Sequence, residues 1–115
     1  MATPESKVKA AVVKILKAND VYYFFPATGG YGRSGVPDII CCLKGRFVAI
    51  ECKAGDNKPT ELQLRELHKI HKANGITFVI NEGGVPMIEE LMKVAGNWSE
   101  PVSYTHLTLP TILLV

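Results

Sequence analysis

The stretch that most constrains this chain is "GVPDIICCLKGRFVAIECKAG", residues 35–55. Two apolar runs, Pro37 to Leu43 and Arg46 to Lys53, flank Lys44-Gly45, and the simplest reading is a β-hairpin. A buried hairpin tolerates little unpaired charge. Yet Asp38 opens the first run, and Glu51 and Lys53 interrupt the second. Alternate residues of a strand share a face, so Glu51 and Lys53 point one way while Ile50 and Cys52 point into the other layer. The hairpin also brings Asp38 beside Glu51. Two adjacent carboxylates repel, and keeping both ionised in a partly buried place is costly. A divalent cation removes that cost, and hard oxygen donors suit Mg²⁺ or Mn²⁺. A lysine beside such an ion would orient a water and balance charge during attack on a phosphorus. The same residues also admit a buried Asp–Lys–Glu ion pair with no catalytic role.

The elements around the hairpin read as follows. Thr3-Pro4-Glu5 is a helix start, with Thr3 as cap and Pro4 in the first turn. Val8, Val12, Ile15 and Leu16 form its apolar face, and Asn19-Asp20 ends it. Val21 to Phe25 is an aromatic strand. "PATGGYGRSGV", residues 26–36, has four glycines among eleven residues and is a loop. Thr60 begins a second helix closed by Gly75, Ile76 to Ile80 is a strand, "NEGGVP" is a turn, and Met87 to Ala95 is a last helix stopped by Gly96. The predicted order is α-β-β-β-α-β-α, an α/β core with a mixed central sheet flanked by helices.

Residues 97–115, "NWSEPVSYTHLTLPTILLV", show neither helical period nor strand alternation. They resemble translated vector or adapter sequence, the alternative being a native edge strand or a partner-binding tail. The expected domain is residues 1–96, and no function is assigned to the remainder.

A chain of 115 residues with 47% apolar and 21% charged residues is expected to be one globular domain. Its formal net charge of +2 permits a nucleic-acid partner without demanding one. The three cysteines, Cys41, Cys42 and Cys52, are odd in number and lie in strand-like runs. They read as buried small hydrophobes in a reducing, cytoplasmic setting. No signal peptide and no membrane-spanning run is visible.

Within this element order, "GGYGRSGVPD", "AIECKAG" and "TELQ" together resemble the small stand-alone VRR-NUC domains of phages and bacteria, in the PD-(D/E)XK nuclease superfamily. The likeness covers roughly residues 5–95 and implies a restriction-endonuclease-like core. It implies that Asp38 and Glu51 are metal ligands, that the backbone carbonyl of Cys52 completes the site, and that Lys53 is the catalytic lysine. Two residues keep two readings. Glu5 is a first-turn acid favoured by the helix dipole, or a further metal or water ligand. Gln63 closes a capping box with Thr60, or lies near the metal and the scissile phosphate. Arg33 and Ser34, with Tyr31 beside them in the glycine loop, are the expected phosphate-backbone contacts. His68 and His71, three apart, have the wrong spacing for a zinc pair and read as surface residues.

The expectation is therefore a Mg²⁺- or Mn²⁺-dependent deoxyribonuclease that selects branched DNA such as four-way junctions and needs no small-molecule cofactor. A homodimer would present two sites to a two-fold junction, with Val21–Phe25 and the last helix around Leu91 and Met92 as the exposed apolar surfaces. The alternatives are a flap, splayed-arm or general duplex nuclease, a non-cleaving DNA-binding module, and a structural domain whose charges only form ion pairs.

Overall fold

In a computed structural model, which describes residues 2–27 and 34–96, the chain runs α1 (Pro4–Ala18), β1 (Tyr22–Phe24), β2 (Ile39–Leu43) and β3 (Arg46–Cys52). It continues through α2 (Glu61–Lys72), β4 (Ile76–Ile80), a 3₁₀ turn (Glu82–Gly84) and α3 (Val85–Ala95). The expected α-β-β-β-α-β-α order is present, with the 3₁₀ turn added. The four strands make one sheet in the order β1-β2-β3-β4. β1 and β3 each pair antiparallel with β2, whereas β4 pairs parallel with β3. A parallel neighbour requires a crossover, and α2 supplies it.

Local chemistry explains the element ends. Thr3 accepts the Ser6 backbone N–H through its hydroxyl at 3.0 Å, capping α1. The hairpin turns on Lys44 (φ 51°) and Gly45 (φ 83°). Positive φ at both central residues gives the tight turn whose twist matches the strands. α2 ends through Asn74 rather than Gly75: Asn74 takes the left-handed conformation, φ 71°, one residue before the stop expected from sequence. α3 starts at Val85, two residues earlier than expected, because Pro86 sits in its first turn, where a missing N–H costs nothing.

The sheet is covered on both faces. On one, Val8, Val12 and Leu16 of α1 and Ile88, Leu91 and Met92 of α3 pack with Ile39, Cys41, Val48, Ile50, Cys52 and Phe78. On the other, Leu67 and Ile70 of α2 cover Ile40, Ala49 and Val79. Alternation along β3 sends Val48, Ile50 and Cys52 to the first layer, and Ala49 and Glu51 to the second. Leu91 (0% exposed) and Met92 (9%) are core residues. The expectation that they form an apolar surface is therefore wrong: α3 packs on α1 and buries them. The aromatic strand does stay open, with Tyr22 71% and Phe24 46% exposed, and Phe47 of β3 on the same flank is 49% exposed. These side chains share a sheet face with Cys42 through the pairs Tyr22–Cys42 and Cys42–Phe47. Cys42 is accordingly exposed, not buried as expected, because α2 does not cover that flank; Cys41 and Cys52 are buried.

Candidate active site

Glu5, Asp38, Glu51, Lys53 and Gln63 gather where elements begin and end along one edge of the sheet. The β2–β3 ladder stops at the Ile39–Ile50 pair, and Asp38 lies one residue before it. Its Oδ2 accepts the Cys52 backbone N–H at 2.8 Å. The carboxylate thus takes the place of the next rung. In an extended strand the N–H and C=O of one residue face the same side, so the Cys52 carbonyl looks towards Asp38.

Glu51 is 2% exposed. Its Oε2 accepts from Gln63 Nε2 at 2.8 Å and lies 3.5 Å from Lys53 Nζ. Its Oε1 is buried and has no hydrogen-bond partner. Leaving a buried carboxylate oxygen unpaired is expensive. Burial pushes the Glu51 carboxyl up to about 7, the Asp38 charge adds to that, and the Lys53 ammonium works against it. Lys53 Nζ is also 3.9 Å from Glu5 Oε1, on the first turn of α1. The lysine therefore bridges two carboxylates from different elements.

Gln63 closes the expected capping box and also contacts Glu51. Its Oε1 accepts the Thr60 N–H at 2.8 Å while Thr60 Oγ1 accepts the Gln63 N–H at 3.2 Å, which completes the capping box. Its Nε2 meanwhile reaches Glu51. One amide ties the start of α2 to the buried acid.

Among the described residues, no group of three or more His, Cys, Asp or Glu side chains forms a metal cage. The donor set fits a different kind of site. Two carboxylates, one with an orphaned buried oxygen, and a backbone carbonyl are hard oxygen donors that leave room for waters, as Mg²⁺ and Mn²⁺ prefer. Burial pushes the Cys52 thiol up to about 12, with the Asp38 and Glu51 charges adding. Cys52 stays a neutral thiol on the opposite layer and has only its backbone to offer.

Of the remaining sequence candidates, Ser34 is exposed in a turn, whereas Tyr31 and Arg33 lie outside the described residues. Gly35 (φ 79°) anchors that turn: a Cβ there would sit 2.7 Å from the backbone C and O of Leu62. His68 is exposed and His71 half-buried. Sequence reading missed a clasp behind the site. Gly55 donates its N–H to Glu82 Oε1 at 2.8 Å, and its carbonyl accepts from Asn81 Nδ2 at 3.1 Å. The sequence shows only a turn at Asn81, and nothing in it pairs that residue with Gly55.

Comparison with known proteins bears on the family and the fold. A family model described as "Archaeal holliday junction resolvase (hjc)" matches residues 12–101. A protein of Acyrthosiphon pisum secondary endosymbiont phage 1, titled "Putative nuclease p44", is 40% identical over 63 residues. That alignment takes in 54% of this chain and 64% of the phage protein, so the chain spans less than two thirds of this relative. A solved structure titled "VRR_NUC domain" superposes with a TM-score of 0.64 at 25% identity, covering 80% of this chain and 97% of that one. The expected restriction-endonuclease-like fold of the VRR-NUC type is thereby shown.

Proposed function

The chain belongs to the archaeal Holliday junction resolvase (hjc) family, and from that premise we propose that it is a Mg²⁺- or Mn²⁺-dependent endonuclease selecting branched DNA, four-way junctions foremost. The observation that carries this reading is the orphaned Oε1 of Glu51, set beside Asp38 and within reach of Lys53. Asp38, Glu51 and the Cys52 carbonyl would hold the cation. When bound, the cation neutralises charge on the phosphate and lowers the pKa of a water.

The protein's own residues do the rest. Lys53, held between Glu51 and Glu5, presents an ammonium to the phosphate and to the oxygen that attacks it. Gln63 fixes the Glu51 carboxylate in one rotamer, which leaves Oε1 as its free face. Asp38 fixes the end of β3 by its bond to Cys52 N–H. The glycine loop with Tyr31, Arg33 and Ser34 would bring the DNA backbone to this edge without reading bases.

Symmetric resolution of a junction needs two cuts, and one chain offers one site. A second copy docked on the open Tyr22, Phe24 and Phe47 face would supply the other. No described helix is long and apolar enough to cross a membrane, and the reading places the protein with DNA in the cytoplasm of a bacterial or phage-infected cell.

The deciding experiment incubates the protein with labelled junctions, flaps and duplexes in Mg²⁺, Mn²⁺ or EDTA. Junctions should be cut in either metal and spared in EDTA, while Lys53→Ala should bind them without cutting. Cleavage that persists in EDTA, or in Lys53→Ala, would refute the assignment. Flap cleavage with intact junctions would move the substrate to the alternative.

A further inference from the structure

Beside Lys53 the sheet edge opens into a cleft of about 490 Å³ that hydrolysis itself does not use. Pro59, Leu64 and Val79 give it apolar walls, and Lys53 and Lys58 line its charged side. Val79 is the Cα partner of Glu51 in the parallel ladder, so this wall and the buried carboxylate lie on one sheet face. Leu64 directly follows Gln63, whose amide holds Glu51. The cleft therefore begins one side chain away from the proposed metal ligands.

Its rim is tied in place. Asn81 Nδ2 donates to the Gly55 carbonyl at 3.1 Å, Gly55 N–H donates to Glu82 Oε1 at 2.8 Å, and Lys53 N–H donates to the Ile80 carbonyl at 2.9 Å. These bonds join the loop after β3 to the end of β4, and the loop cannot collapse into the cleft without breaking them. Pre-formed clefts of 300–1,000 Å³ with apolar walls and a few polar groups are the usual shape of ligand sites.

We propose that this cleft receives the nucleotide adjoining the scissile phosphate, its base out of the stack against Leu64, Val79 and Pro59 and its phosphate beside Lys58. The volume suits one nucleotide. Lys53 is shared with Glu51 and Glu5, which leaves Lys58 at the rim as the ammonium that can meet a phosphodiester. Apolar walls accept the face of any base, so the contact is tolerant of sequence. A base inside a continuous duplex must lose its partner and its stacking to enter, whereas one at a branch, flap or bulge has already lost part of both. The cleft thus supplies the structure selectivity itself. This inference rests on the nuclease reading for its location but not for its test.

The test uses the full chain and three duplexes of one sequence: fully paired, with one bulged nucleotide, and with the same bulge made abasic. Binding is followed by fluorescence anisotropy in Ca²⁺, and cutting in Mn²⁺. The bulged duplex should bind at least tenfold tighter than the paired one and be cut beside the bulge. The abasic bulge should lose at least threefold of that gain. Leu64→Ala should bring the base-bearing bulge down to the abasic level while leaving the abasic one unchanged. Lys58→Glu, on an exposed loop, should weaken both bulges more than the paired duplex. Equal affinity for base-bearing and abasic bulges overturns the proposal, whatever is cut. Base-dependent binding without cutting in any metal leaves the cleft standing and removes the nuclease reading. Failure to bind any of the three removes both.

Discussion

Replacing Glu51 with Gln should stabilise the metal-free protein at alkaline pH while ending cleavage. The carboxyl sits at about 7 against an ordinary 4.5. Each pH unit between those values is worth about 1.4 kcal/mol, so ionised Glu51 costs the fold on the order of 3 kcal/mol. The direction follows from proton linkage. The folded carboxyl keeps its proton to higher pH than the unfolded one, so its contribution is fully present below about 4.5 and is lost as pH climbs through about 7. A glutamine is neutral throughout and still offers an oxygen to Gln63 Nε2, and Lys53 keeps Glu5. Thermal melts of both proteins in EDTA should coincide near pH 4.5 and diverge by on the order of 10 °C at pH 8, the variant being higher. Adding Mn²⁺ at pH 8 should raise the wild type and leave the variant where it was. A wild type as stable as the variant at pH 8 without metal would refute the account of a buried, underpaired carboxylate.

Other perturbations follow from single contacts. Gly35→Ala should lose on the order of 1–3 kcal/mol in denaturant titration, since it puts a Cβ against the Leu62 backbone at φ 79°; unchanged stability would mean that this packing is loose. Thr77→Val should gain about 1 kcal/mol, because the Thr77 hydroxyl is buried without a partner; a loss would reveal a water or carbonyl that the hydroxyl serves. Arg33→Ala should weaken binding to many DNA sequences alike and lower the slope of log affinity against log salt by about 1. Deleting residues 97–115 should leave folding and cleavage intact, and a much lower melting temperature would show that the stretch packs.

The parts of this molecule readable from sequence are those written locally. Thr3-Pro4 and Thr60 with Gln63 announce helix starts within four residues, and Lys44-Gly45 announces the hairpin. Asp38, Glu51 and Lys53 were legible because charge in an apolar strand demands a reason. Relations across the fold were not. Leu91 and Met92 look like surplus apolar residues until α3 is laid against α1, which no single segment specifies. Cys42 reads like its buried neighbour Cys41, and only the width of the cover provided by α2 separates them. The clasp from Gly55 to Asn81 and Glu82 joins residues 26 and 27 positions apart, beyond the reach of any local pattern.

The residues proposed for the site occupy the ends of elements and not their middles. Glu5 is in the first turn of α1, Asp38 precedes β2, Glu51 and Cys52 close β3, and Gln63 is in the first turn of α2. Among the described residues, the segments leaving this edge, 25–27, 34–38 and 53–60, carry almost none of the apolar core. Chemistry and grip are therefore encoded separately. Lengthening or exchanging either segment, in nature or in a library, would change what the proposed site meets, with the hydrophobic layers unaware of the change.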